Sequence, residues 1–385
     1  MNIGDRVQFV AGPAVVGEAF FGRRAELTRI HDRISAGMST LIVGHRRMGK
    51  TSLLLHLRWQ NSKEAASRAM FLFMDGETLS EDGPSEFLTA LVSSISDRLD
   101  NDQRSVRSIL RRPPVAGWTI PAVQSALERI TSSRGPIILL LDETDYMVSK
   151  FPRAAMQLRS LISSRLICAV CSAFHWPDQF EPTIGASVWS NVFTLDALGM
   201  FSMSEAEEML ERLSTNCGNR LESHESAFLI EVFGPHPFRL QTAGVALFES
   251  RQFTSARSPA MRRLFLADAV REATSRLERH LLYDIQHLSS EEIKVLREIS
   301  NGLPVSSSNV LDRLRLQGIV HAADVHWTIT STVFAQLVAQ IPRETAFEKV
   351  RSSAAWEFLA GLGKKAFNVA VDKAIDAATR HWLPQ

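Results

Sequence analysis

Residues 44 to 51 read Gly-His-Arg-Arg-Met-Gly-Lys-Thr, a spacing that suits the binding of a phosphate chain. Gly44 and Gly49 allow the backbone to turn so that several N–H groups point at phosphate oxygens. Lys50 is placed to reach the β- and γ-phosphates, and the Thr51 hydroxyl is placed to bind Mg²⁺. These residues therefore predict a nucleotide site with ATP or ADP and Mg²⁺ as its ligands.

The segments on either side of this loop have the character that it requires. Residues 39–43 are a short β-branched apolar run of the kind that forms a buried strand, and a helical run follows from Ser52. A helix that begins at the loop directs its positive end at the phosphates. The alternative, a glycine-rich turn without a ligand, is disfavoured by this context. Arg46 and Arg47 inside the loop are further candidates for phosphate contact.

A second apolar run, at residues 136–141, ends in acidic residues. Six residues without charge are typical of a central parallel strand that is covered on both faces. Asp142 falls where this strand emerges, and we expect it to hold the metal through water. Glu143 is expected to orient or deprotonate the attacking water, the alternative being a solvated carboxylate. Asp145 has two open interpretations, a loop cap or a functional group.

The composition restricts the classes of function. The 385 residues exceed the roughly 250 to 300 at which single cores stop growing, so two or more domains are expected. A formal net charge of +1 gives no overall field to attract nucleic acid or a membrane. Cys168 and Cys171 have odd spacing within one predicted strand, which favours reduced core thiols over a shared metal. Without a signal peptide or a long apolar segment, we expect a cytoplasmic protein that has no transmembrane segment.

Strand and helix patterns alternate up to about residue 200, and this alternation predicts a three-layer α/β fold with a mainly parallel sheet. Further strands are expected at residues 69–75, 166–172 and 191–195. An arginine-rich stretch contains Arg104, Arg107, Arg111 and Arg112, where a solvated helix face is the alternative to phosphate contact.

The pattern becomes helical after residue 200. Capping boxes at residues 202–205 and 289–292 begin helices, and residues 234–237 end one helix at Gly234 and start another at Pro237. Residues 309–318 favour a helix and residues 319–329 two short strands, which together describe a winged helix. The expected organisation is an N-terminal segment (1–17), a P-loop nucleotide-binding domain (18–200), a helical lid (201–287), a winged helix (288–345) and an amphipathic helical tail (346–385).

With these residues in place, the chain resembles the bacterial and archaeal branch of the STAND ATPases, relatives of the AAA+ proteins, over about residues 10–345. Residues 20–27 resemble the family's GR-x-x-E-L box, which packs on the adenine, and this implies nucleotide contact for Phe21 and Arg23. Ser172 matches the sensor 1 polar residue at the γ-phosphate. Pro237 stands where AAA+ motors carry the sensor 2 arginine, and this departure favours a switch over a motor.

The resemblance implies an ATP-binding, slowly hydrolysing switch whose nucleotide state controls domain arrangement. The winged-helix histidine of NLR-type members has no match at residues 327–331, and His321 or His326 is either a substitute or an exposed wing residue. No repeat-built sensor follows residue 345. These departures imply self-association or a separately encoded effector or sensor protein, in signalling or antiphage defence.

The sequence leaves three points open: DNA binding, the arginine finger and what covers the apolar stripe of the tail. A DNA-binding ATPase of the initiator or transposition-helper type would use the winged helix, where Arg313 and Arg315 are the basic residues of the recognition segment. Arg165 is a candidate arginine finger. In the tail, Phe367 and Val371 belong to an apolar stripe that is covered by the chain itself, by a partner or by a membrane surface.

Overall fold

The computed structural model describes the chain with internal gaps, at residues 8–64, 68–80, 83, 85–99, 110, 114, 117–180, 189–250, 253, 255, 256, 258–323, 326–341 and 363–382. The described residues form two compact units. The sheet unit comprises Ala14–His45 and Gly49–Leu198, and the helical unit comprises Met1–Pro13, Arg46–Met48 and Gly199–Gln385.

The sheet unit contains one parallel five-stranded sheet in the order β2-β3-β4-β1-β5. Its strands are β1 (Thr40–Val43), β2 (Met70–Asp75), β3 (Ile137–Asp142), β4 (Ile167–Ala173) and β5 (Thr194–Ala197). Because all five strands run in the same direction, their carboxyl ends meet at one edge. That edge receives the segments that follow β1, β3 and β4.

Helices connect these strands, as parallel neighbours require a crossover. They are α1 (Arg24–Ser35), α2 (Lys50–Lys63), α3 (Glu86–Arg98), α4 (Ile120–Arg134), α5 (Thr144–Lys150), α6 (Pro152–Ser163) and the short α7 (Pro177–Phe180). The helices flank the sheet, so the predicted three-layer α/β fold is confirmed. Strand β3 is deeply buried, since no residue from Ile137 to Leu141 exposes more than 1% of its surface.

Apolar side chains explain the position of the core. Leu139 and Leu141 of β3 pack in one cluster with Phe87 and Leu91 of α3 and with Leu158 of α6. Burial of an apolar side chain of this size stabilises the fold by about 1.5–3 kcal/mol.

The two cysteines of β4 are free thiols in this core. Burial raises the pKa of Cys168 to about 11 and that of Cys171 further, which keeps both thiols protonated and inert.

The predicted strand at residues 191–195 is displaced in the structure. Residues Trp189–Val192 form a 3₁₀ turn, and β5 begins only at Thr194. The indole Nε1 of Trp189 donates a hydrogen bond to the Ala155 carbonyl at 3.0 Å. Because this buried tryptophan holds the turn on α6, the chain reaches the edge of the sheet later than the apolar pattern predicts.

Helices dominate the other unit. They are α8 (Met203–Asn216), α9 (Ser223–Phe233), α10 (Pro237–Glu249), α11 (Pro259–Gln286), α12 (Ser290–Ser300), α13 (Ser308–Leu316), α14 (Thr332–Ala339) and α15 (Gly363–Trp382). Strands β6 (Val320–Ala323) and β7 (His326–Ile329) form an antiparallel pair. Within the described ranges none of these helices is long and apolar enough to cross a bilayer.

Local sequence signals set the helix ends in this unit. Ser202 and Ser289 form capping boxes with Glu205 and Glu292, as predicted. Gly234, with φ of +68°, follows the end of α9, and Pro237 begins α10. Helix α14, which follows the β6–β7 pair, was not predicted.

The C-terminal helix packs on its own unit. Phe367, Val371, Ala374 and Ala378 are buried, and α15 contacts α9, α11 and α14. Arg271 of α11 donates to Asp372 at 3.1 Å. Of the alternatives for the apolar stripe, the structure therefore shows coverage by the chain itself. The arginine-rich stretch (Arg104, Arg107, Arg111 and Arg112) and tail residues 346–362 lie outside the described residues.

Candidate nucleotide site

The loop between β1 and α2 is fixed to the carboxyl edge of the sheet. The Gly44 N–H donates to the Ala173 carbonyl at 3.1 Å. A side chain at Gly44 would place its Cβ 2.5 Å from the Leu198 carbonyl oxygen, so this position needs glycine. Gly49 has φ of +92° and directly precedes α2. Both glycines thus serve the turn that the sequence predicts.

Lys50 is buried and lies against the loop. Its Nζ donates to the carbonyl oxygens of Gly44 at 2.8 Å and His45 at 3.2 Å. The Phe174 ring centroid lies 5.9 Å from the same nitrogen. An ammonium group in this position can exchange weak carbonyl contacts for charged phosphate oxygens, which accept stronger hydrogen bonds.

Three predicted site residues meet at the Asp142 carboxylate. The Thr51 hydroxyl donates to Asp142 Oδ2 at 2.6 Å, and the buried Ser172 hydroxyl donates to Asp142 Oδ1. Strand order explains the meeting, because β4 lies between β3 and β1 and its end is adjacent to both. A hydroxyl and a carboxylate side by side are the hard oxygen ligands that Mg²⁺ prefers.

Glu143 adopts the left-handed conformation, with φ of +47°, at the N-cap of α5. Such a conformation is uncommon for residues other than glycine, asparagine and aspartate. Burial raises the pKa of Glu143, against an opposing effect of Lys50, and the nearby Asp142 and Asp145 carboxylates raise it further. A raised pKa brings a carboxylate closer to the range in which it acts as a general base.

The structure assigns Asp145 to the loop that follows β4. Asp145 Oδ2 accepts from the backbone N–H groups of Phe174 and His175, at 3.2 and 3.1 Å, and lies 2.7 Å from His175 Nδ1. Burial acts to raise the pKa of Asp145, but the hydrogen bonds from His175 and Phe174 outweigh burial and lower it. This geometry therefore supports the loop-cap interpretation of Asp145.

Sequence reasoning missed Phe174 and His175. They directly follow the strand that carries Ser172, and this position was the signal that could have found them, since segments at the carboxyl edge of a parallel sheet line its ligand site. The positions of Phe174 and His175 along the chain do not by themselves show that their N–H groups donate to Asp145.

The remaining candidates of the sheet unit lie beside α1 and α2. Phe21 is buried, and Arg23 is 2% exposed with φ of +62° at the N-cap of α1. Arg23 Nη1 donates to Glu26 Oε1 at 3.1 Å. The Ser52 hydroxyl accepts from the Val15 N–H at 3.1 Å.

Arg165 lies away from this group. It has φ of +58° and precedes β4 at its amino end, whereas Ser172 is at the carboxyl end of the same strand. The two positions are at opposite edges of the sheet.

The loop arginines have aromatic neighbours in the helical unit, to which they belong. The Arg46 guanidinium carbon lies 4.6 Å from the Tyr283 ring centroid, and that of Arg47 lies 4.8 Å from the Phe238 ring centroid. Arg47 Nη1 also donates to the Gly12 carbonyl at 2.6 Å. Each guanidinium thus stacks in the geometry of a cation–π contact.

Pro237, the first residue of α10, stands beside a buried polar cluster that comprises His236, Arg239, His280 and Asp284. The possible metal-ligand atoms of its two histidines and its aspartate lie within 4.8 Å of one another, and two histidines with an aspartate are a common set of metal ligands. However, Arg239 Nη2 donates to Asp284 Oδ2 at 2.7 Å.

The charge balance of this cluster opposes a cation. Burial raises the pKa of Asp284 to about 6, although Arg239 and Arg46 both act to lower it. A carboxylate that is hard to ionise, next to a permanent guanidinium charge, is a poor partner for a divalent ion. The buried polar cluster is therefore a poor site for a divalent cation.

His321 and His326 lie on the β6–β7 pair. His321 Nε2 lies 3.0 Å from the Thr328 hydroxyl, and both His321 and His326 are exposed. The contact of His321 is within the β6–β7 pair and matches the alternative of exposed surface histidines.

Comparison with known proteins places this geometry in a known fold. No family model matches the sequence, and no curated protein matches it. Among solved structures, the Walker-type ATPase paby2304 of Pyrococcus abyssi is similar with a TM-score of 0.54 at 16% identity, over 86% of this chain and 99% of that one. The chain shares the fold of a Walker-type ATPase.

Two further solved structures have lower scores. The ORC2 protein of Aeropyrum pernix, in ADPNP and ADP complexes, is 15% identical with a TM-score of 0.47, over 96% of this chain and 97% of that one. The RuvB Holliday junction branch migration motor of Thermotoga maritima is 13% identical with a TM-score of 0.44, over 87% of this chain and all of that one (100%). At these scores and identities, neither similarity bears on what this chain does.

Proposed function

We propose that the protein binds ATP with Mg²⁺ and hydrolyses it slowly, and that the bound nucleotide acts as a switch. The observation that carries the hydrolytic part is the Asp142 carboxylate, which accepts hydrogen bonds from Thr51 and Ser172 beside the phosphate loop. This arrangement supplies oxygen ligands for a metal and a polar contact for a γ-phosphate at one edge of the sheet.

Each residue has a distinct role in this proposal. The loop N–H groups and Lys50 would bind the β- and γ-phosphates, and Thr51 and Asp142 would hold Mg²⁺. Bound Mg²⁺ supplies Lewis acidity to the phosphoryl oxygens. Glu143 orients and deprotonates the attacking water, and Ser172 contacts the γ-phosphate.

The residues next to the loop complete the proposed nucleotide site. Phe21 and Arg23 contribute to the contact with the base, Ser52 adds its backbone N–H to the first turn of α2, and Pro237 belongs to the lid element. The roles of Phe21, Arg23 and Pro237 follow from the resemblance to STAND ATPases, and that of Ser52 follows from its place after the phosphate loop. All four are proposals for the chain.

The switch part is supported by the ring contacts of the loop arginines. Arg46 and Arg47 lie within the phosphate loop, and their guanidinium groups stack on Tyr283 and Phe238 of the helical unit. Phosphates on the loop would attract the same guanidinium groups, so nucleotide charge would compete with these contacts. A cation–π contact contributes about 0.5–2 kcal/mol, which is comparable to an allosteric coupling of about 1–3 kcal/mol.

We propose that this coupling controls a winged helix, formed by α12, α13 and the β6–β7 pair, and assembly with a second copy or a separately encoded effector or sensor. Signalling or antiphage defence in the cytoplasm is the setting that the resemblance suggests. Neighbouring genes would test this setting, since a separately encoded effector should lie beside the gene of its switch.

DNA binding through this winged helix has less support than the switch. Arg313 and Arg315 are the basic residues of α13, and Arg315 Nη2 lies 3.5 Å from Asp312 Oδ1 on the same helix. Neutralisation by Asp312 reduces the charge available to phosphates. A steep salt dependence of affinity for duplex DNA would favour this alternative over a protein partner.

The direct test compares wild type with Lys50→Ala for ATP binding by calorimetry and for phosphate release with and without Mg²⁺. We expect the variant and the metal-free protein to lose turnover. Lys150→Ala is the matched control, because this exposed lysine ends α5 in the same unit. Equal turnover by wild type and Lys50→Ala would exclude the proposed hydrolytic site.

The switch is tested by hydrodynamic radius. Wild type with ADP and Glu143→Gln with ATP should differ in radius or in oligomeric state. Identical radii and identical mass at saturating nucleotide would reject the switch while leaving hydrolysis intact.

A further inference from the structure

Residues 15–20, which we call the strap, lie along one face of α2. The Val15 N–H donates to Ser52 Oγ, and the Gly17 N–H donates to His56 Nδ1, each at 3.1 Å. Ser52 and His56 are four residues apart and therefore share a face of the helix. Two backbone donors of the strap thus find their acceptors on the phosphate-loop helix.

Aromatic rings complete the contact. The Phe20 ring stacks on the His56 ring with centroids 4.1 Å apart and planes at 11°, and the Trp59 ring lies on the same histidine at 5.3 Å. Gly17 has φ of +63°, and a Cβ there would be 3.2 Å from two Trp59 ring carbons. The strap therefore fits this face closely at a residue whose conformation favours glycine.

The hydrogen bond from Gly17 defines the chemical state of His56. A ring nitrogen accepts a hydrogen bond only when it carries no proton, so Nδ1 is bare and the imidazole is neutral with its proton on Nε2. The imidazolium form has two donors and no acceptor. Protonation would set the Gly17 N–H against another N–H at a buried position, since His56 is 7% exposed.

We propose that His56 is a positioning residue of the nucleotide site, whose neutral imidazole holds the strap on the phosphate-loop helix and whose protonation releases the strap and weakens nucleotide binding. This inference rests on the proposed function. It extends that function with a residue that lies outside the phosphate loop and the acidic strand.

The strap is connected to the phosphate site at both of its ends. Val15 bonds to Ser52, the residue after Thr51, in the first turn of α2. After Phe20 the chain continues at once into buried Phe21 and Arg23. Release of the strap would therefore free the first turn of α2 and the segment that enters α1 together.

The direction of the pH effect follows from the surroundings of His56. Burial lowers the pKa of His56, and the His31 imidazole of α1 lowers it further when charged. His31 itself lies 3.2 Å from Gln60 Oε1 on α2. Because the folded-state pKa is lowered, docking of the strap is complete at neutral pH and is lost as pH falls through that value.

Two substitutions separate the hydrogen-bond acceptor of His56 from its ring stacking. His56→Asn places an amide oxygen where Nδ1 was, so it keeps an acceptor that does not titrate. His56→Phe keeps the ring stack and removes the acceptor. The half-buried His224 of α9, which lies 3.4 Å from Glu222 Oε2, provides the matched controls His224→Asn and His224→Phe.

Two measurements on the full chain test the proposal. Hydrogen exchange reports protection of the Val15 and Gly17 amides, and titration with a fluorescent ATP analogue gives affinity between about pH 5.5 and about pH 8.5, where histidines titrate. We expect His56→Phe to lose amide protection and about tenfold in affinity at every pH. Protonation of the terminal phosphate weakens binding to every variant as pH falls. Wild type should weaken more steeply than His56→Asn, which lacks the titrating imidazole.

Equal amide protection in wild type and His56→Phe would overturn the holding role. An ATP affinity of wild type that does not change with pH, or a His56→Asn affinity that falls with pH as in wild type, would overturn the titration. A wild-type chain that binds no nucleotide at any pH would refute the proposed function and the link between the strap and nucleotide binding. In that case the hydrogen-exchange measurement would still decide whether His56 holds the strap.

Discussion

The Thr51 hydroxyl donates a hydrogen bond to Asp142 Oδ2 across 2.6 Å, and this contact joins the first turn of α2 to the end of β3. Ser172, from the intervening strand, donates to the other oxygen of the same carboxylate. One carboxylate thus fixes the separation between the phosphate loop and the acidic strand end. In the proposed function, Thr51 and Asp142 would hold Mg²⁺ at this contact.

Glu143→Gln should separate binding from hydrolysis. The amide keeps the size of the side chain but cannot take a proton from water, so we expect ATP affinity to change little and kcat to fall by about 10²- to 10⁴-fold. Steady-state phosphate release and calorimetry measure the two quantities. Glu128→Gln on α4 is the control at an exposed glutamate. Unchanged turnover in Glu143→Gln would remove it from the mechanism.

The pH dependence of turnover should reflect the raised pKa of Glu143. A general base acts when ionised, so kcat should rise with pH through a value above the ordinary glutamate pKa of about 4.3. Because the folded-state pKa is raised, the contribution of Glu143 to stability is complete below the unfolded pKa and is lost as pH rises. Glu143→Gln should then be at least as stable as wild type at neutral pH, measured by urea unfolding. An acidic limb at or below the ordinary value would contradict this assignment.

Ser172→Ala should reduce turnover by about tenfold and raise the Mg²⁺ concentration needed for half-maximal rate, because Asp142 loses a donor that orients it. The measurement is phosphate release across a Mg²⁺ titration. Ser164→Ala, at the exposed end of α6, should leave both values unchanged. A Ser172→Ala protein with a wild-type Mg²⁺ requirement would show that the serine does not act through Asp142.

The buried Arg239–Asp284 pair should show strong coupling in a double-mutant cycle. Each of Arg239→Met and Asp284→Leu alone should cost about 3–5 kcal/mol of unfolding free energy, because it leaves one buried charged group without its partner. The double variant should cost much less than the sum.

The exposed Arg271–Asp372 pair is the control for this cycle. Its side chains are 49% and 56% exposed, so solvent screens the pair and its coupling should stay below about 1 kcal/mol. Additive costs at Arg239 and Asp284 would show that their hydrogen bond contributes no net stability.

The sequence by itself determined the parts of this protein that depend on near neighbours in the chain. The spacing of Gly44, Gly49 and Lys50 predicts the turn of a phosphate-binding loop, and an uncharged run predicts the buried strand that ends at Asp142. The capping residues Ser202 and Ser289 act within one helical turn. Each of these signals is local, so the fold class and the phosphate loop could be predicted without coordinates.

Only the tertiary structure decided which distant groups meet. Asp145 holds Phe174 and His175 because β4 lies beside β3 in the sheet, and no spacing along the chain encodes that order. His56 accepts from Gly17 because the strap folds back onto α2 across 39 residues. Strand order and the fit of side chains between elements depend on the packing of the whole core, and a single sequence does not display that packing residue by residue.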